Sequence, residues 1–177
     1  IGKTRLALAL AERQLQAVRP TPAFADGIYF ISLAPISSAG TIAQTIAEGL
    51  AFPLTSAEET AVQLLTYLRH KQMLLVLDNF EHVLAGATLL GHILQSCGGV
   101  KIVVTSRERL NLAGEPLWPI SGLNFAGLAH LDEALTYEAV QLFVQRARQV
   151  QPDFVLQAEA LPHLERILQG VWGMPLA

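Results

Sequence analysis

The sequence predicts an α/β fold, with a parallel sheet covered by helices on both faces and then the start of a small helical domain. Met73 to Leu77 and Lys101 to Thr105 are short apolar runs without polar alternation, as expected of strands buried on both sides. Segments with helical periodicity separate the strand-like runs, which is the order of a parallel sheet with crossover helices. After Gly122 the strand signals stop and helical patterns continue alone, so a boundary is expected near 122 to 130, with domains at 1–122 and 123–177.

Thr4 to Val18 carries Leu6, Leu10, Ala11 and Leu15 at helical spacing, interleaved with Glu12, Arg13 and Gln16, and Pro20 and Pro22 end it. Gly27 to Leu33 is rich in β-branched and aromatic residues and reads as a strand. Helices are expected over Ser38 to Leu50 and Ala57 to His70, with Pro53 and a capping-box-like Thr55-Ser56-Ala57-Glu58 between them. The strand at Met73 is followed by a helix from Glu81 to Ser96, the Gly98-Gly99 turn and the strand at Lys101. Leu117 to Ile120, between Pro116 and Pro119, could add a short strand. The second domain should contain helices at Leu131 to Val150 and Ala158 to Leu168.

The 177 residues, 51% apolar and 15% charged, suffice for one sizeable core and part of a second. A net charge of −3 leaves no footprint for a nucleic-acid backbone, so any DNA contact should lie in a domain outside this chain. No apolar run approaches the roughly 20 residues of a membrane span. Cys97 is the sole cysteine, which excludes an internal disulfide and fits a cytoplasmic location. The chain opens at Ile1 inside one motif and stops at Ala177 inside another, so a preceding strand and the first half of a phosphate loop are expected upstream.

The chemistry is concentrated in two strand ends and one helix start. Gly2-Lys3-Thr4 before an amphipathic helix is the end of the G-x-x-x-x-G-K-[ST] phosphate loop. Gly2 lets the backbone approach phosphate, Lys3 brings a mobile cation to the β and γ phosphates, and Thr4 offers a hydroxyl to Mg²⁺, with Arg5 beside it on the first turn. The helix adds free N–H groups and its N-terminal partial charge. Asp78, at the carboxyl end of a buried strand, is the expected acid that holds Mg²⁺ opposite Thr4; otherwise it caps the next helix. Arg107 ends the Lys101 strand and could reach a γ-phosphate; otherwise it pairs with Glu108 or Glu115.

In order, Gly2-Lys3-Thr4, Leu74 to Asp78, Val103 to Arg107 and Gly173-Met174-Pro175-Leu176-Ala177 resemble the NB-ARC and wider STAND class of signal-transduction ATPases. Val76 to His82, Thr105 to Leu110 with Gly114-Glu115, and Glu138 to Arg148 look like bacterial regulators in which such a module sits beside a LuxR-type or winged-helix DNA-binding domain. The resemblance implies a three-layer P-loop NTPase followed by a truncated helical lid. It further implies an ADP-held closed form that ATP opens for oligomerisation or transcriptional output. By the same resemblance Lys3 and Thr4 match the phosphate and Mg²⁺ positions, Asp78 the Walker B acid, Arg107 the sensor and Pro175 the proline that lies against adenine.

One departure bears on turnover. Many relatives place a second acid directly after the strand-terminal Asp, whereas this chain has Asn79, which cannot accept a proton. Asn79 could still orient water, and Glu81 or His82 could assist, or both belong to the first turn of the next helix. Slow ATP hydrolysis is therefore expected. A turnover ATPase or small-molecule kinase, and a degenerate scaffold, are the competing readings. Trp118 and Trp172 are expected in core or lid packing, Leu142, Phe143 and Ala147 on a buried helix face, and His70, His92, His130 and His163 lack metal-ligand spacing.

Overall fold

The computed structural model describes residues 2–17, 23–55, 58–125 and 127–175. Ile1, Pro20, Pro22, Ser56, Ala57, Leu176 and Ala177 lie outside the described residues, and with them part of the phosphate-loop start, the helix stop, the capping box and the final motif. The chain is α/β and divides into two compact units, Lys3–Leu117 and Trp118–Ala177, with Ile1–Gly2 grouped with the latter.

In the first unit, helix α1 (Lys3–Gln16) precedes strand β1 (Ile28–Ser32), helices α2 (Ile42–Gly49) and α3 (Thr60–Leu68), strand β2 (Met73–Asp78), helix α4 (Ala87–Ser96) and strand β3 (Val100–Val104). The described strands form one parallel sheet in the order β1-β2-β3, with Leu74 opposite Ile28 and Lys101, and Leu77 opposite Ile31 and Val104. All six residues of β2 are buried because it is the central strand. Its side chains alternate between two faces. Met73, Leu75 and Leu77 join the larger core with Ile42, Ile46, Leu64, Leu68, Leu90 and Ile93 of α2, α3 and α4. Leu74 and Val76 join Ala7 and Ala11 of α1 on the opposite face. The expected covering on both faces is thus present.

The helix expected from Glu81 begins later. Asn79 adopts a left-handed conformation (φ 63°, ψ 55°), and two 3₁₀ turns, Phe80–His82 and Leu84–Gly86, precede α4. Phe80 and Val83 are both buried. A 3₁₀ turn aligns positions three apart, which lets both enter one core. Gln63, rather than a described capping box, anchors the approach to α3: its side-chain amide donates to the carbonyls of Thr55 (2.9 Å) and Glu58 (2.7 Å), and its oxygen accepts from the Thr55 N–H (2.9 Å).

The second unit holds helices α5 (Leu131–Ala134), α6 (Glu138–Val150) and α7 (Leu161–Gly170), the last entered through a 3₁₀ turn at Ala158–Ala160. The single helix expected over Leu131 to Val150 is interrupted. Tyr137 is extended (φ −76°, ψ 132°), and the Thr136 hydroxyl donates back to the Glu133 carbonyl at 2.6 Å. The break buries Ala134 together with Ala139, Val140 and Val144, against Leu156, Leu161, Leu164 and Leu168. The buried stripe of α6 therefore lies at Ala139, Val140 and Val144, with Leu142, Phe143 and Ala147 only half-buried.

Two further expectations are corrected. Leu117 to Ile120 forms no strand; Pro119 has no N–H to donate and the flanking side chains are exposed. Trp118 and Trp172 do not pack in a core: they are 85% and 79% exposed, Trp172 with a left-handed φ of 54°.

Candidate functional site

The period of two along β2 places Asp78 on the same face as Leu74 and Val76, the face covered by α1. A parallel strand and the helix on its face run in opposite directions here, so the start of α1 meets the end of β2. Thr4, in the first turn, donates its hydroxyl to Asp78 Oδ1 at 2.8 Å. Asp78 is 6% exposed and buried in the described structure.

A third residue, Thr105, which no sequence motif marks as a partner of Asp78, completes the cluster. The register of β2 with β3, in which Leu77 faces Val104, puts Thr105 beside Asp78 on the same face. The Thr105 hydroxyl donates to Asp78 Oδ1 at 2.6 Å and accepts the Asn79 N–H at 3.1 Å. Alternation along Lys101, Val103 and Thr105 was the available signal, but it becomes informative only once the register is known. Asn79 therefore contributes its backbone here, with no side-chain hydrogen bond to the following turn.

Arg107 lies beyond this cluster. Its guanidinium Nε pairs with Glu81 Oε1 at 3.3 Å, with the Arg107 side chain 79% exposed. Glu115 is engaged elsewhere, accepting the Leu110 N–H at 3.2 Å and the Leu112 N–H at 3.3 Å. His82 Nε2 lies 2.8 Å from the Ile36 carbonyl and 3.0 Å from the Leu33 carbonyl. Two acceptors facing one ring nitrogen require that nitrogen to carry the proton, so His82 ties the segment after β1 to the turn after β2.

Lys3 is half-buried and Arg5 exposed, one on each side of Thr4 in sequence. Gly2 has a left-handed φ of 91°, and a Cβ there would lie 3.7 Å from the Pro175 ring within the unit that holds both.

Among the described residues no cluster of three or more His, Cys, Asp or Glu side chains could hold a metal ion. Thr4 and Asp78 do offer a hydroxyl and a carboxylate within hydrogen-bond distance of each other. That donor set fits Mg²⁺, which keeps waters and takes only one or two protein oxygens beside phosphate. No helix among the described residues is long and apolar enough to cross a membrane.

The chain is 34% identical over 178 residues to a protein of Mycobacterium tuberculosis provisionally named an HTH-type transcriptional regulator, matching all of this chain and 18% of that protein's length. A Mycobacterium bovis protein of the same provisional name matches to the same extent. A second M. tuberculosis protein, with no functional name, is 30% identical over 178 residues, covering all of this chain and 41% of its own length. The chain thus spans less than half of each of these relatives. No protein-family model matches it, and no solved structure matches it.

Proposed function

We propose that this chain is the nucleotide-binding switch module of a transcription regulator, holding ATP or ADP with Mg²⁺ and hydrolysing ATP slowly. The observation that carries the reading is the hydrogen bond between Thr4, at a helix start after Gly-Lys, and Asp78, at the end of a buried parallel strand. Thr4 spends its hydroxyl proton on the carboxylate, which leaves its oxygen lone pairs for a cation. Lys3 supplies the cation for the phosphates, the free N–H groups of α1 add their partial charge, and Arg5 flanks them. The bound nucleotide would bring phosphate oxygens to complete the Mg²⁺ shell.

The slow rate follows from Asn79, which offers no base. Arg107, whose side chain is exposed and pairs among the described residues with Glu81, can exchange that partner for a γ-phosphate at small cost. Pro175 takes the adenine role that the family resemblance assigns it. The HTH-type name of the M. tuberculosis relative supports regulation of transcription, with DNA contacted by a domain outside this chain and the ATP form oligomerising.

The test uses the full-length protein. Its co-purified nucleotide is extracted and its turnover measured; bound ADP with less than about one turnover per minute, far below ordinary enzymes, is expected. Lys3→Ala should lose nucleotide, and Arg107→Ala should weaken ATP more than ADP. Rapid turnover stimulated by a small acceptor, or the absence of any adenine nucleotide binding, would overturn the reading.

A further inference from the structure

The hydrogen bonds at the ends of β2 and β3 assign a role to Thr105. We propose that Thr105 is the positioning residue of Asp78, locking its carboxylate in place and tying it to the segment that carries Arg107. The structural part of this stands on the hydrogen bonds themselves, while its consequence for a bound cation rests on the function proposed above.

Thr105 is 7% exposed and sits immediately after β3. An amide N–H can only donate, so the Asn79 N–H at 3.1 Å makes the Thr105 hydroxyl oxygen an acceptor on that side. Its one proton is therefore committed to Asp78 Oδ1 at 2.6 Å. The main chain of the same residue is fixed as firmly: its N–H donates to the Leu77 carbonyl at 2.9 Å, and its carbonyl accepts the Phe80 N–H at 3.0 Å. Thr105 is thus stitched to four successive residues, Leu77 through Phe80, and is rigid before it touches the carboxylate.

Thr4 donates to the same Oδ1 from the opposite element. Two hydroxyls from α1 and from the end of β3 occupy one carboxylate oxygen, while Oδ2 accepts no hydrogen bond among the described residues. Two hydrogen bonds to one oxygen restrain the carboxylate about its terminal torsion and set the direction in which the other oxygen points. Preorganised oxygens matter for a small cation with strict octahedral demands. Arg107 follows two residues later, so the strand end that holds Asp78 is also the one from which the Arg107 that pairs with Glu81 extends.

The test compares Thr105→Val, which keeps the shape and removes the hydroxyl, with Thr105→Ser, which keeps the hydroxyl, in the full-length protein. ADP retention is titrated with Mg²⁺ and measured again in EDTA. Thr105→Val should raise the half-saturating Mg²⁺ concentration about tenfold, the loss of one charge-assisted hydrogen bond, with EDTA binding unchanged. Thr105→Ser should stay within about twofold of the parent. An unchanged Mg²⁺ titration in Thr105→Val, or an equal loss with and without Mg²⁺, would overturn the proposal.

If the parent protein binds no adenine nucleotide, the proposed function fails separately, and the positioning role is decided without ligand. A denaturation cycle of Thr105→Val with Asp78→Ala should then show coupling of about tenfold in the unfolding constant. Additive effects would reject it.

Discussion

Thr4 Oγ1 and Asp78 Oδ1 lie 2.8 Å apart, joining the first turn of α1 to the last residue of β2 across 74 positions of sequence. The contact is partly buried and its acceptor is a carboxylate, so it should stabilise the unit before any ligand arrives. Thr4→Val is expected to cost about 1–2 kcal/mol in urea unfolding without nucleotide, and Thr4→Ser much less. Equal stability of Thr4→Val and the parent would show that the hydroxyl contributes nothing to the fold.

Gly122 and Gly173 allow two backbones to cross in the second unit. A Cβ at Gly122 would run into the carbonyl oxygen of Trp172, and Gly173, at φ +63°, lies against the Leu123 carbonyl while accepting the Leu123 N–H at 2.9 Å. Backbone cannot yield as a side-chain tip does. Gly122→Ala should therefore destabilise by about 2 kcal/mol or more, whereas Gly170→Ala, with open space around it and a helical backbone, should be neutral or stabilise by up to about 1 kcal/mol. Thermal unfolding of the two variants side by side checks the contrast.

Cys97 is fully buried, with its thiol 3.7 Å from the Leu65 carbonyl. Burial pushes its pKa up, opposed only partly by the Arg69 charge. Thiolate is the reactive form, so alkylation at neutral pH should be slow in the native protein and rise with denaturant along the unfolding curve. Rapid labelling under native conditions would mean that the α4 end opens independently of the core.

Asp26 caps the segment after α3. It accepts the Gln72 N–H at 2.7 Å and the Lys71 ammonium at 2.9 Å, and these two bonds, the backbone one foremost, hold its carboxyl below the usual carboxylate range. A lowered folded pKa means that the unfolded chain takes up the proton first as pH falls. The stabilisation is therefore complete above the ordinary Asp pKa and fades as pH drops through the lowered folded value. The stability gap between the parent and Asp26→Asn should be constant from about pH 7 to pH 5 and close towards about pH 2. A gap that stays constant over the whole range would remove the carboxylate charge from the explanation.

The pairing of Thr4 with Asp78 was partly legible in local sequence. Asp78 closes an unbroken apolar run and Gly-Lys-Thr stands before a periodic helix, so type and order put both at the ends of elements that pack together. Thr105 was not legible as a partner of Asp78, because its hydroxyl acquires meaning only from the pairing of β2 with β3. Glu81 was equally hidden as the partner of Arg107: nearer acids in sequence competed, and the left-handed Asn79 and the 3₁₀ turn at Phe80 decided which carboxylate arrived.

Sequence by itself determined the α/β class, the positions of β1, β2 and β3 to within a residue at every end, and the identity of the groups that carry charge. These depend on side-chain periodicity and on short-range backbone preferences. Tertiary structure alone decided that Thr4, Asp78 and Thr105 share one carboxylate oxygen, that the helix expected from Glu81 starts instead at Ala87, and that Trp118 and Trp172 stand in solvent. Those outcomes depend on which distant surfaces are buried together and on the register that results, and no window of local sequence contains either.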